Sequence, residues 1–222
     1  MNKRERLAQV NTKWIDACTC MLRDSATHAV PGEGSADATI LFIGEAPGKE
    51  EDKQGRPFVG AAGKFLAEML AAIGLAREDV YITNVVKYRP PDNRDPLPEE
   101  VEACWPWLEE QVKIIDPTMI VLLGRHAMER FLPNQKISKI HGTALRRTIP
   151  GLGTRIFYAL YHPAAALYQG SLRDVLMKDF KRIPKVLEAA KKQEAGVKNI
   201  MPTENVNVPR ETPGKDAQDK LF

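Results

Sequence analysis

Four residues with side chains suited to binding or catalysis stand inside short motifs of this sequence. Glu45 lies in a glycine-rich turn, Phe58 in a Pro-Phe-Val-Gly segment, Asn84 at the end of an apolar run, and His162 in a Tyr-His-Pro segment. An aromatic ring can stack on a flat ligand, a carboxamide can donate and accept hydrogen bonds, and an imidazole can stabilise developing negative charge. Each residue alone also fits a core or a turn, so the argument depends on whether the four come together.

The turn that contains Glu45 follows the apolar run at 40–43 and precedes a helical pattern. In an α/β protein ligands bind at such a place, at the carboxyl end of a strand. The segment 60–64 has some likeness to a phosphate-binding loop, but Phe58 and Phe65 stand where that motif needs Gly and Ser or Thr. The sequence therefore does not predict nucleotide hydrolysis.

Hydrophobic periodicity predicts strands that alternate with helices. The predicted strands are 39–43, 79–86, 119–123 and 155–160, and the predicted helices are 2–20, 64–73, 98–115, 125–131 and 172–192. This order predicts an α/β fold, a three-layer αβα sandwich around a central four-stranded, mainly parallel sheet. Because a doubly wound sheet gathers its strand-end loops at one edge, we expect Glu45, Asn84 and His162 to converge.

Composition predicts one domain at residues 1–193 and a disordered tail at 194–222, where Pro, Asn, Thr and Lys replace the apolar pattern. The net charge of +3 is compatible with nucleic acid but does not argue for it. No apolar run has the length of a membrane span, and the first ten residues lack a secretory core. We expect a monomer in the cytoplasm, at the nucleoid.

Three longer strings carry a family resemblance. They are GEAPGKEEDKQGRPFVGAAGKFL at 44–66, ITNVVKYRPPDNRDPLPEEVEAC at 82–104 and YHPAAAL at 161–167. In order and spacing they resemble the motifs of family 4 uracil-DNA glycosylases, over roughly residues 15 to 190. The resemblance implies a uracil-DNA glycosylase-like fold and a DNA repair enzyme. Such an enzyme flips uracil out of DNA and hydrolyses its N-glycosidic bond, leaving an abasic site.

The resemblance also implies roles for residues of the three motifs. Phe58 stacks on the base, Asn84 pairs with O4 and N3–H of uracil, and His162 stabilises negative charge on O2. The other predicted site residues come from the first and third motifs: Gly44, Glu45, Ala46, Glu51 and Leu167. The backbone at 45–46 positions water and binds O2, and Ala46 stands where other uracil glycosylases carry Asp. The two glutamates are alternatives for orienting water or the sugar cation, and the leucine fills the vacated stack.

Basic residues are the predicted contacts to DNA phosphate. Lys87, Arg89 and Arg94 lie in or beside a proline-rich loop, and the further candidates are Lys136, Lys139, Arg146 and Arg147. Tyr168 stands where the family usually has an arginine that binds phosphate. In our interpretation the Tyr168 ring stacks on a base instead.

The three cysteines bear on the cofactor of the family, a four-iron four-sulfur cluster held by four cysteines. Cys20 and Cys104 match two of the ligand positions, whereas Ala17 and Tyr88 occupy the other two. Cys18 stands beside the first lost position. Because a cuboidal four-iron four-sulfur cluster needs four thiolate ligands, we expect no conventional cluster. Packing among Trp14, Tyr88 and Trp105 would fill the volume. A three-cysteine cluster with water or His28 as the fourth ligand is the alternative.

Two features lie outside the enzyme motifs. The tail ends in Gln218-Asp219-Lys220-Leu221-Phe222, which resembles the pentapeptide by which bacterial repair proteins bind the sliding clamp, through Gln218, Leu221 and Phe222. His141 stands where the family often has Arg-Gly. It keeps open the alternative of a protein that binds or covalently traps uracil-DNA without turnover. A DNA-binding remnant and an unrelated α/β hydrolase are further alternatives, and no Gly-x-Ser-x-Gly motif supports the latter.

Overall fold

Four apolar runs form the centre of one sheet, because strands covered on both faces must be apolar throughout. The computed structural model describes residues 1–197. Its strands are Glu33–Gly34 (β1), Ile40–Gly44 (β2), Tyr81–Asn84 (β3), Met119–Leu123 (β4), Thr143–Ile149 (β5) and Gly153–Leu160 (β6). They lie in the order β1-β3-β2-β4-β6-β5. The four central strands are parallel, and β1 and β5 pair antiparallel at the two edges.

Helices cover both faces of this sheet. They are Lys3–Ala17 (α1), Lys49–Gln54 (α2), Ala61–Ala71 (α3), Pro98–Ile115 (α4), Arg125–Phe131 (α5), Ile137–Ile140 (α6), Ala165–Tyr168 (α7), Ser171–Phe180 (α8) and Ile183–Val197 (α9). Side chains of β2 alternate between two cores: Leu41 packs with residues of α1, α4 and α5, and Phe42 with residues of α3, α8 and α9. The predicted αβα sandwich is therefore confirmed.

Three details of the sequence prediction were wrong. The described sheet has six strands rather than four, because edge strands β1 and β5 are short or polar and lack an apolar pattern. The predicted helix 172–192 is two helices, since Pro184 has no N–H to bond back to the preceding turn. The charged segment after Gly48, which is absent from the predicted helices, forms α2.

The carboxyl ends of the central strands meet at one edge. Gly44 and Asn84 are partners in the β2–β3 ladder, and Leu123 pairs with Leu160 in the β4–β6 ladder. The loops that follow β2, β3 and β6 therefore leave the sheet at the same edge. The predicted tail begins inside α9, and residues 198–222 lie outside the described residues. Among residues 1–197, no helix is both long and apolar enough to cross a membrane.

Candidate active site

A cavity of about 330 Å³ opens at this edge of the sheet. Its walls include side chains from all three motif loops, namely Glu45, Glu51, Phe58, Asn84 and His162, together with Ala46. The predicted convergence of Glu45, Asn84 and His162 is thus confirmed. Pro90, Asn93, Arg94 and Asp95 form the side of the cavity that belongs to the proline-rich loop.

Asn84 ends β3 with its side chain inside the cavity wall. The residue is only 1% exposed, and its Oδ1 has no hydrogen-bond partner among the described residues. A buried acceptor without a partner costs about 1–3 kcal/mol. A ligand that brings an N–H to this oxygen removes that cost, so the geometry selects for a donor at this position.

Phe58 and Gly44 shape the floor of the cavity together. Phe58 is buried, and its ring centroid lies 5.5 Å from that of His162. A Cβ atom at position 44 would lie 2.7 Å from Cζ of Phe58 and 2.4 Å from Oδ1 of Asn84. Only glycine leaves the space that these two side chains occupy.

His162 follows β6 and is held as a neutral imidazole. Burial lowers its pKa to about 4, and the opposing effect of the Glu51 carboxylate is smaller. The N–H of Ala164 donates to Nδ1 of His162 at 3.1 Å. Since Nδ1 is the acceptor, the single ring proton is on Nε2, which leaves an N–H available to a ligand.

The two glutamates of the first motif have different surroundings. Oε1 of Glu51 accepts the N–H groups of Val59 (2.9 Å) and Gly60 (2.8 Å), which fixes this carboxylate to the loop after Phe58. Burial raises the pKa of Glu45, and Asp95 raises it further while His126 and Arg125 oppose the shift.

Asp95 and His126 belong to the site but were not predicted from the sequence. Nε2 of His126 lies 3.8 Å from Glu45 and 3.1 Å from Asp95, and the Arg125 guanidinium is 3.3 Å from Asp95. The positive guanidinium makes this a cluster of paired charges rather than an open cation site. No single motif contains both residues, because Asp95 lies in the proline-rich loop and His126 in α5, and they meet only in the fold.

The prediction that Lys87 contacts DNA was wrong. Its side chain is fully buried, and burial lowers its pKa to about 7. Nζ donates to the carbonyl of Asn84 and to Oε1 of Gln111, each at 2.8 Å, and to Oγ1 of Thr83. All three ammonium protons are therefore used inside the protein, where they fix the backbone of Asn84.

The other predicted DNA contacts stay predictions. Arg94 is exposed at the cavity and pairs with Glu100, and Nε of Arg89 donates to Asn93 at 2.8 Å. The further basic candidates are all exposed: Lys136, Lys139, Arg146 and Arg147. On α7, Leu167 is 47% and Tyr168 91% exposed, so both are free to contact a partner.

His141 lies outside the cavity walls. Its Nδ1 is 2.6 Å from Asp179, and its ring packs on that of Tyr161 at 4.7 Å. This arrangement ties the residue to α8 and gives no support to a covalent trap at the base.

The three thiols lie together, buried between the chain after α1 and helix α4. Contact with the Cys104 thiol lowers the pKa of Cys18 to about 6 and also lowers that of Cys20, while the pKa of Cys104 is raised by the same contacts. His28, the alternative fourth ligand, instead contacts the Asp52 carbonyl through Nδ1 at 2.8 Å.

Tyr88 is one of the two residues predicted to stand at ligand positions of the cluster. It is 3% exposed, its hydroxyl donates to the carbonyl of Ile15 at 3.5 Å, and its ring meets Trp107 edge-on at 6.5 Å. The predicted packing partners were wrong in part, since Trp105 packs on Phe131. Three thiols and a buried phenol do not fit a conventional four-iron cluster, which needs four thiolates.

Comparison with known proteins identifies the family. Residues 31–190 match the family model described as "Uracil DNA glycosylase superfamily". A type-4 uracil-DNA glycosylase of Archaeoglobus fulgidus is 50% identical over 185 residues, which cover 81% of this chain and 92% of that protein. A type-4 uracil-DNA glycosylase of Thermotoga maritima is 44% identical over 187 residues, 82% of this chain and 95% of that protein.

This chain is a type-4 uracil-DNA glycosylase family member. Its αβα sandwich is accordingly the uracil-DNA glycosylase fold, and family membership agrees with a cavity built from the three motif loops. Asp95 lies inside the second motif but was not predicted as a site residue, and His126 lies outside all three motifs. Their sequence signal is their place after strands that end at the same edge: Asp95 is in the loop after β3, and His126 is in the first turn of α5, which follows β4.

The protonation state of His162 can be measured directly. Because burial places its pKa near 4, below the usual value of about 6.5, the ring gains a second proton only as the pH falls towards that value. We expect one imidazole to remain neutral at about pH 5 to 8 with its proton on Nε2. Nitrogen-15 NMR titration checks this, with His162→Gln to assign the signal. A midpoint near neutrality, or a proton on Nδ1, would contradict the assignment.

Proposed function

We propose that this protein removes uracil from DNA as the first step of base excision repair. The target nucleotide leaves the helix, the base enters the cavity, and hydrolysis of the N-glycosidic bond leaves an abasic site. One observation carries the proposal: the buried Oδ1 of Asn84 has no partner among the described residues, in a cavity that Phe58 and His162 also line. Family membership supports the same reaction.

Asn84 explains how the base is chosen. Its Oδ1 accepts the N3–H of uracil while its amide nitrogen donates to O4. Cytosine presents an acceptor at N3 and a donor at its amino group, which leaves both halves of the carboxamide unpaired in a buried site. The ring of Phe58 stacks on the base and excludes water from one face.

His162 and the first motif explain the chemistry. As the C1′–N1 bond breaks, its electron pair passes to the base and negative charge develops on O2. The Nε2–H of neutral His162 donates to this oxygen, the place where charge appears. Water, oriented by the backbone at 45–46 and by Glu45, adds to C1′ and releases one proton, which balances the proton that the uracil anion takes up to leave as neutral uracil. We assign Glu45 rather than Glu51 because the latter already accepts two backbone N–H groups.

The surface around the cavity supports DNA binding. In this proposal Leu167, half exposed on α7, fills the gap that the flipped nucleotide leaves, and Tyr168 beside it stacks on a neighbouring base. Arg94 lines the cavity, and Arg89 lies near it in the proline-rich loop. These side chains bind phosphate without reading sequence.

The activity is tested with an end-labelled oligonucleotide that carries one uracil, treated with alkali after incubation. We expect cleavage at uracil and none in a matched oligonucleotide with cytosine. Asn84→Ala should lower kcat/KM by about 100-fold or more, because the site then reads neither N3–H nor O4. Its thermal unfolding serves as the folding control. Wild-type protein without activity on uracil would refute the proposal, and a denaturant-resistant protein–DNA band would favour the trapping alternative.

We also propose that the site works without a conventional four-iron cluster. The support is the donor set of three thiols, with Tyr88 buried at one of the two positions where the family resemblance implies a cysteine that this chain lacks. In this proposal the packing of Tyr88 against Trp107 takes over the support of the segment that follows Asn84.

Iron and sulfide analysis of anaerobically purified protein tests this. We expect far less than one four-iron cluster per chain, and uracil excision unchanged by iron chelators. The double variant Ala17→Cys/Tyr88→Cys restores the four-cysteine pattern and is expected to gain iron and a brown colour. A full complement of iron in the wild-type protein would overturn the proposal, whatever the variant does.

We propose that the glycosylase domain at 1–193 is joined to a tail at 194–222 that binds the sliding clamp. The support is sequence alone: Gln218, Leu221 and Phe222 lie outside the described residues. Deletion of 218–222 should abolish binding to the clamp in a pull-down and leave excision from short oligonucleotides unchanged. Unaltered clamp binding after the deletion would end this idea.

A further inference from the structure

Phe58 has a backbone conformation that its residue type rarely adopts. Its φ is +52°, in the left-handed region that favours glycine. The surrounding structure must hold such a residue in place, and strain of this kind concentrates at binding sites. The contacts around Phe58 show which groups do so.

Arg77 holds the peptide groups on one side. Its Nη1 donates to the carbonyl of Phe58 at 3.0 Å and its Nη2 to the carbonyl of Pro57 at 2.7 Å. The planar guanidinium presents two parallel donors to two successive carbonyls, which a lysine cannot do. Arg77 begins the short helical turn Arg77–Asp79 that precedes β3, 19 residues after Phe58 in sequence.

Groups on other sides complete the arrangement. The Glu51 carboxylate accepts the N–H groups of Val59 and Gly60, directly after Phe58. Helix α3 closes against the same peptide, since a Cβ at Gly63 would lie 1.8 Å from the Phe58 carbonyl oxygen. A cation therefore binds the carbonyls at 57–58 and an anion binds the N–H groups at 59–60.

We propose that Arg77 is a positioning residue for base binding, whose two hydrogen bonds keep the Phe58 ring in the cavity wall. This inference rests on the proposed stacking of Phe58 on uracil. Arg77 touches no part of the substrate and acts only through the loop. Stacking is present in both the bound substrate and the transition state, so its loss raises KM more than it lowers kcat.

The chain offers a matched control in Arg56. Both arginines pair with Glu33: Arg56 through two contacts of 2.8 Å and Arg77 at 3.8 Å. Arg56 makes no hydrogen bond to the carbonyls at 57–58 among the described residues. Arg56→Met therefore removes a charge from the same cluster and leaves the loop contacts in place.

The experiment measures kcat and KM on uracil-DNA, together with inhibition by free uracil, which probes the base pocket without DNA. Arg77→Met should lower kcat/KM by about 10- to 100-fold, mainly through KM, and weaken uracil inhibition in parallel. Arg77→Lys should lie in between. Arg56→Met should stay within about two-fold of wild type on both measures. Equal effects of Arg77→Met and Arg56→Met would overturn the inference.

Phe58→Leu separates this inference from the function on which it rests. If Arg77 acts through Phe58, Arg77→Met should cause little further loss in the Phe58→Leu background. Full additivity would overturn the inference. An impaired Phe58→Leu with a normal Arg77→Met would refute the inference alone. A normal Phe58→Leu would refute the stacking role and the inference with it. If Arg77→Met fails to fold, Arg77→Lys carries the same comparisons.

Discussion

The parallel pairing of β2 with β3 is the constraint on which the site depends. In that ladder Gly44 stands directly beside Asn84, at the ends of two strands that are buried along their whole length. The Asn84 amide and the Phe58 ring share the space that a side chain at 44 would fill. Because strand side chains alternate, a shift of one residue would turn Asn84 to the other face of the sheet. The recognition of uracil that we propose for Asn84 therefore depends on the core of the fold.

Burial then sets the chemistry of the groups at that edge. It lowers the pKa of His162, raises that of Glu45, and leaves Oδ1 of Asn84 without a partner among the described residues. Each effect destabilises the protein without a ligand and favours the complex that we propose with uracil-DNA. Polar groups that are fixed in advance need no rearrangement as charge develops. Arg77 and Glu51 carry opposite charges, and their hydrogen bonds hold the adjoining loop around Phe58 in the conformation that lines the cavity.

Sequence reasoning succeeded where local pattern and fold agree. The bounds of α4, β4 and α5 were predicted to the residue, and the three motif loops meet as expected. It failed where a side chain's surroundings come from distant segments. The basic side chain of Lys87 is of the type that contacts DNA, but in the fold it is buried and donates to Gln111 of α4. Edge strand β5 lacks an apolar pattern because solvent covers part of it. The left-handed backbone of Phe58 has no signature in its residue type.

Tyr88 has a consequence for the conditions in which this fold can persist. Tyr88 is the last residue of the segment 84–88. Van der Waals contact with Trp107 and one hydrogen bond to the backbone carbonyl of Ile15 hold it in place. Neither interaction includes a metal ligand. An anchor made of two aromatic rings and one hydroxyl, four residues from Asn84, is therefore independent of the iron supply.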